Sequence, residues 1–77
     1  MAVKINGRNA NAPVVQEILT RYGCNIKTRI GFHEASDDHC SMDGVLILQL
    51  FGDKSEIEAL FDELSKLEGV IPRFVEF

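Results

Sequence analysis

Val45-Leu-Ile-Leu-Gln-Leu-Phe51 is apolar at every position but Gln49, the pattern of a β-strand covered on both faces. Alternation gives Leu46, Leu48 and Leu50 one face, toward helices, and leaves Val45, Ile47 and Phe51 on the other, where they need a second cover. Downstream, Asp53 followed by Glu56 has capping-box spacing, the aspartate accepting from an early backbone N–H and the glutamate reaching back. Ile57, Leu60, Phe61, Leu64 and Leu67 then form the apolar stripe of a helix that Gly69 ends. Val70 to Phe77 reads as a last strand, with Pro72 suited to an edge because it cannot donate to a ladder.

Upstream, the residues from Cys24 to Phe32 alternate. Cys24, Ile26, Thr28, Ile30 and Phe32 share one face, Asn25, Lys27, Arg29, Gly31 and His33 the other, which predicts a half-buried strand with Cys24 inward as a small, unreactive hydrophobe. Before it, Asn11 can cap a helix, Pro13 suits the first turn, and Val15, Ile18, Leu19 and Tyr22 fall on one helical face. Gly23 is expected to end that helix in the left-handed region. Val3 to Asn6 is a short opening strand.

The order strand, helix, strand, strand, helix, strand predicts an α+β, ferredoxin-like βαββαβ sandwich, a four-stranded antiparallel sheet with two helices on one face. The chain has 77 residues, 45% of them hydrophobic and 26% charged, so residues 1–77 are read as a single domain. A chain this short buries only about 60% of its unfolded surface, which favours self-association. The bare sheet face with Val45, Ile47 and Phe51 is the expected interface of a homodimer or homotetramer. No run is long enough to span a membrane and no secretory segment is evident, so a cytoplasmic protein is expected. The two cysteines are too few for a disulfide scaffold. Residues 1–32 carry a net charge of +4 and residues 33–77 of −8, an overall acidity that argues against autonomous nucleic-acid binding.

Between the second and third predicted strands lies Phe32-His-Glu-Ala-Ser-Asp-Asp-His-Cys-Ser-Met-Asp-Gly44, read as a loop of about ten residues where hairpins usually take ~2–5. It gathers both histidines and a cysteine. His33, His39 and Cys40 are the candidate metal ligands, since imidazole and thiolate suit zinc, nickel or copper. A polar loop solvated by its aspartates is the competing reading. Cys40 beside His39 also has the residue types of a nucleophile and base, but no oxyanion-hole pattern or orienting third residue accompanies them, so no enzymatic activity is expected. Asn9 and Asn11, in the loop before the first helix, are candidate effector-binding residues, because helix N-terminal amides favour an anionic group; nearly every helix has such an end, and ordinary capping is the favoured reading.

Asn11-Ala-Pro-Val-Val-Gln-Glu-Ile-Leu-Thr-Arg-Tyr-Gly-Cys-Asn-Ile26 resembles the opening of ACT-type regulatory domains, with Val14 where that superfamily usually has glycine after the proline. From Val3 to Phe77, and most closely over Ile18 to Leu48, the chain looks like the small ACT-like proteins called iron-only hydrogenase system regulators. Those resemble in turn the sensor domain of the nickel-responsive repressor, which assembles through its sheets and binds metal between subunits. The resemblance implies a non-enzymatic regulator that works as a homo-oligomer and binds a small effector or a metal ion such as nickel or zinc. It matches His33 and Cys40 to metal ligands, with His39 a third, and implies a protein partner in hydrogenase metabolism. The alternative expectation is a protein-interaction or assembly module with no ligand of its own.

Overall fold

The computed structural model describes residues 1–6, 11–35 and 40–76, and their side chains except those of 33–35 and 40–42. The elements run β1 (Ala2–Ile5), α1 (Ala12–Arg21), a 3-10 turn (Gly23–Asn25), β2 (Ile26–Ala35), β3 (Cys40–Leu50), α2 (Lys54–Ser65) and β4 (Val70–Arg73). The four strands form one antiparallel sheet in the order β2-β3-β1-β4, and the predicted βαββαβ sandwich is the fold. β4 lies at an edge, with Pro72 opposite Val3.

Helical periodicity places the core. Val15, Ile18 and Leu19 from α1 and Leu60 and Leu64 from α2 are buried against Met1, Val3, Leu48 and Val70 of the sheet, with Ile5, Ile26, Leu46 and Leu50 packed around them. Both helices therefore cover the same sheet face. Asn11 caps α1, its side-chain oxygen accepting from the Val14 N–H at 3.4 Å. Across the helix layer the Arg21 guanidinium pairs with Glu63, and from the sheet Arg29 donates to Gln16 of α1 at 2.7 Å.

Four local expectations are corrected. Gly23 does not adopt a left-handed conformation; Tyr22 caps α1 and the chain continues into the 3-10 turn, which leaves Cys24 exposed rather than inward on a strand. The positive φ angles among the described glycines belong to Gly52 (105°) and Gly69 (78°). Helix α2 ends at Ser65, before Gly69, and Gly69 instead turns the chain into β4 and accepts from the Asn6 N–H at 2.7 Å. The capping box does not form: Asp53 is the N-cap residue, but its side chain accepts no backbone N–H, and Glu56 is held by Asn25.

The fourth correction concerns β2. A register shift between Ile26 and Thr28 separates Ile26, which packs on the core, from the residues that follow. Arg29 and Gly31 then pair with Leu48 and Leu46 on the helix-covered face, while Ile30 and Phe32 pair with Ile47 and Val45 on the bare one. Leu46 lies over Gly31, where a Cβ would come 3.3 Å from its Cδ2. One extra residue in a strand exchanges its two faces, so the apolar residues expected inward at Ile30 and Phe32 point outward.

Candidate functional site

The segment read as a loop from His33 to Asp43 is largely strand. β2 continues to Ala35 and β3 begins at Cys40, with His33 opposite Gly44 and Ala35 opposite Cys40. At ten and eleven residues, rising ~3.3 Å each, these two strands account for the long axis of a molecule measuring 43 × 24 × 18 Å. Backbone pairing overrode the polar composition that suggested a loop, because a ribbon needs no apolar period to satisfy its N–H and C=O groups. His33 and Cys40 thus stand on adjacent strands, two register positions apart. Their side chains, and His39 entirely, lie outside the described residues, as does Asn9. Asn11 is exposed and engaged in capping α1.

Among the described residues, the sheet face opposite the helices is left without cover. Ile30 is 48% exposed, Phe32 60%, Ile47 41% and Ile71 46%. Ile47 pairs with both Ile30 and Ala2, and Lys4 with both Val45 and Ile71, so one continuous face holds these residues together with Arg73 opposite Ala2. Of the three expected interface residues, Ile47 is central, Val45 is half-buried, and Phe51 lies past the end of β3, exposed, its N–H donating to the Asn25 carbonyl at 3.0 Å. Ile30, Phe32 and Ile71 were not anticipated there.

A second feature was also missed. Beyond the Ala2 to Arg73 pairing, a cleft of about 560 Å3 opens between Met1, Ala2, the β3 residues Ile47 to Leu50, and Val75. Another of about 560 Å3 shares Met1, Leu50 and Val75 and reaches Lys54, Ile57 and Glu58 at the start of α2. Volumes of this order suit small molecules. Phe74 stacks on Phe61, with ring centroids 4.7 Å apart and planes at 15°, which fixes the chain segment forming one wall. The Met1 amino group donates to the Leu48 carbonyl and its own carbonyl accepts from the Leu48 N–H, both at 2.8 Å. Burial lowers the pKa of that amine, because removing water disfavours the ammonium form.

At the mouth of the helix layer the Tyr22 hydroxyl hydrogen-bonds Glu63. This bond, ahead of Arg21, holds the Glu63 carboxyl below its usual pKa and raises that of the phenol. Among the described residues, no three His, Cys, Asp or Glu side chains are grouped as metal ligands would be.

No family model matches the chain, and no curated protein does. Among solved structures, the uncharacterized protein TM1266 from Thermotoga maritima is similar, with a TM-score of 0.75 and 23% sequence identity over 91% of this chain and 82% of that one. At that identity the likeness is one of fold.

Proposed function

We propose that this chain is a regulatory module with no catalysis of its own, ACT-like in build, whose copies meet through the open sheet face. The observation that carries this reading is the exposure of Ile30, Phe32, Ile47 and Ile71 on one continuous surface, since monomers rarely leave large contiguous apolar patches in water. The effector is a small molecule or a transition metal ion such as nickel or zinc, with His33, Cys40 and His39 as the metal's ligands and Asn9 and Asn11 as contacts for an organic anion. The process regulated, on the resemblance, is iron-only hydrogenase metabolism. Native mass spectrometry of untagged protein, with and without nickel and zinc, tests it: an oligomer that takes up stoichiometric metal, and loses that uptake in His33→Ala/Cys40→Ala, is the expected result. A metal-free monomer overturns both the interface and the ligand set.

The second reading, an assembly module without a ligand, is favoured by the same exposed face. An oligomer that binds neither metal nor any small molecule selects it.

A further inference from the structure

We infer that the outer edge of β2 takes an added strand: an extended segment of a partner protein whose side chains alternate between carboxylates on the helix side and apolar groups on the open side. Backbone direction makes the edge available. Leu48 exchanges both of its backbone hydrogen bonds with Met1, so Ile47 and Gln49 turn theirs toward β2, where Ile30 and Thr28 stand opposite. Arg29 and Gly31, which alternate with those two, therefore point N–H and C=O away from the sheet. Among the described residues no strand lies beyond β2 to receive them.

The two edges of the sheet are unlike. β4 is four residues long, and Pro72, opposite Val3, occupies a position whose N–H would point outward, which closes that edge to a ladder needing the donor. β2 contains no proline, and every residue from Lys27 to Phe32 is exposed.

Side-chain chemistry selects the occupant. Arg29 lies on the helix side and donates to Gln16, a neutral acceptor, and among the described residues neither Arg29 nor Lys27 pairs with a carboxylate. Ile30 and Phe32 lie on the open side. A strand laid antiparallel along this edge exchanges main-chain hydrogen bonds at Arg29 and Gly31. It also sets one side chain directly opposite each residue, a carboxylate against Arg29 and apolar groups against Ile30 and Phe32. Cations on an edge discourage another basic strand and favour an acidic one. This edge is separate from the open face, so the inference stands whether or not copies meet there.

The probe is the peptide Val-Ser-Val-Glu-Thr-Glu, capped at both ends. Laid antiparallel, it sets its valines opposite Phe32 and Ile30 and its glutamates opposite Arg29 and Lys27. Titrated into isotopically labelled protein and followed by NMR, it should bind saturably and shift the amide signals of Arg29 and Gly31 rather than those of β4. Wild type should hold it about tenfold more tightly than the same peptide with lysine in place of glutamate, as expected when two cross-strand charge pairs turn from attraction to repulsion. Arg29→Glu, checked for native circular dichroism, should abolish that preference. Absence of saturable binding, equal affinity of wild type for the two peptides, or shifts confined to other strands overturns the inference. So does a concentration-dependent shift of the Arg29 and Gly31 amides in the protein alone, which would give the edge to a second copy.

Discussion

The Asn25 side chain donates to Glu56 Oε2 at 2.7 Å and to the Phe51 carbonyl at 3.3 Å, joining the 3-10 turn after α1 to the end of β3 and the first turn of α2. Asn25 is buried, with 7% of its surface exposed, and its backbone accepts from Phe51 and donates to Tyr22. The joint fixes the entry angle of α2, and through it the cleft beside Leu50.

Replacing Asn25 by alanine removes a buried donor shared by two acceptors, so an expected loss of ~1–3 kcal/mol in urea unfolding follows from leaving those acceptors short of a partner. Asn25→Asp should cost more at neutral pH, since it sets a carboxylate against Glu56. Such a pair raises the folded-state carboxyl pKa, so the variant should regain stability as pH falls below that raised value. A variant no less stable than wild type contradicts the joint.

Gly52 and Gly23 should answer alanine differently. Gly52 has φ 105°, and a Cβ there would lie 2.7 Å from Asn25 Nδ2, so Gly52→Ala combines backbone strain of ~1–3 kcal/mol with displacement of the asparagine. At Gly23 no heavy atom lies within 4 Å of an added Cβ and φ is not positive. Alanine there should leave stability unchanged or raise it by ~0.4–1 kcal/mol. Thermal melts of the two variants decide it, and equal melting points would count against the geometry.

The contrast between these glycines also marks what was legible in the sequence. Val15, Ile18, Leu19, Leu60 and Leu64 announce themselves by a period that only a helix satisfies, and with Pro13 and the turn residues they suffice for element order and topology. Alternation along Cys24 to Phe32 tells which residues share a face but not which face the helices cover, and the register shift after Ile26 reversed the answer for Ile30 and Phe32. Asp53 and Glu56 have the spacing of a capping box, yet Glu56 is claimed by a residue 31 positions earlier, which no local pattern can show. The cleft was invisible for the same reason, being assembled from Met1, β3 and Val75. The candidate ligands His33 and Cys40 were found by residue type alone, and their strand setting was hidden because the polar segment gives no period to read.

Tyr22 is the only tyrosine and there is no tryptophan, so phenol absorbance reports on a single site. The Glu63 hydrogen bond raises the Tyr22 pKa, and alkaline titration should therefore give a midpoint above that of free tyrosine, falling in Glu63→Gln. The linkage has two signs. Glu63, with its folded pKa lowered, contributes stability above the unfolded carboxyl pKa and loses it as pH falls through the folded value; Tyr22 contributes below the unfolded phenol pKa and loses it as pH rises through the folded one. Glu63→Gln should accordingly flatten the acid limb of a stability profile, and an unchanged acid limb would refute the coupling.

Leu48 and Ile47 are neighbours on β3 with opposite fates, Leu48 1% exposed on the helix side and Ile47 on the open face. Leu48→Ala empties a position walled by both layers and should cost ~2–5 kcal/mol. Ile47→Ala removes a side chain that stays 41% exposed in the isolated chain, so it should cost a dilute monomer clearly less than Leu48→Ala does. Ile47→Lys would bury an unpaired ammonium wherever two open faces meet, so it should weaken association while leaving the fold intact. Light scattering and denaturant unfolding on the same three variants separate the roles. If Ile47→Lys associates as wild type does, the open face is not the interface; if Ile47→Ala destabilises the monomer as much as Leu48→Ala, that face is core rather than surface.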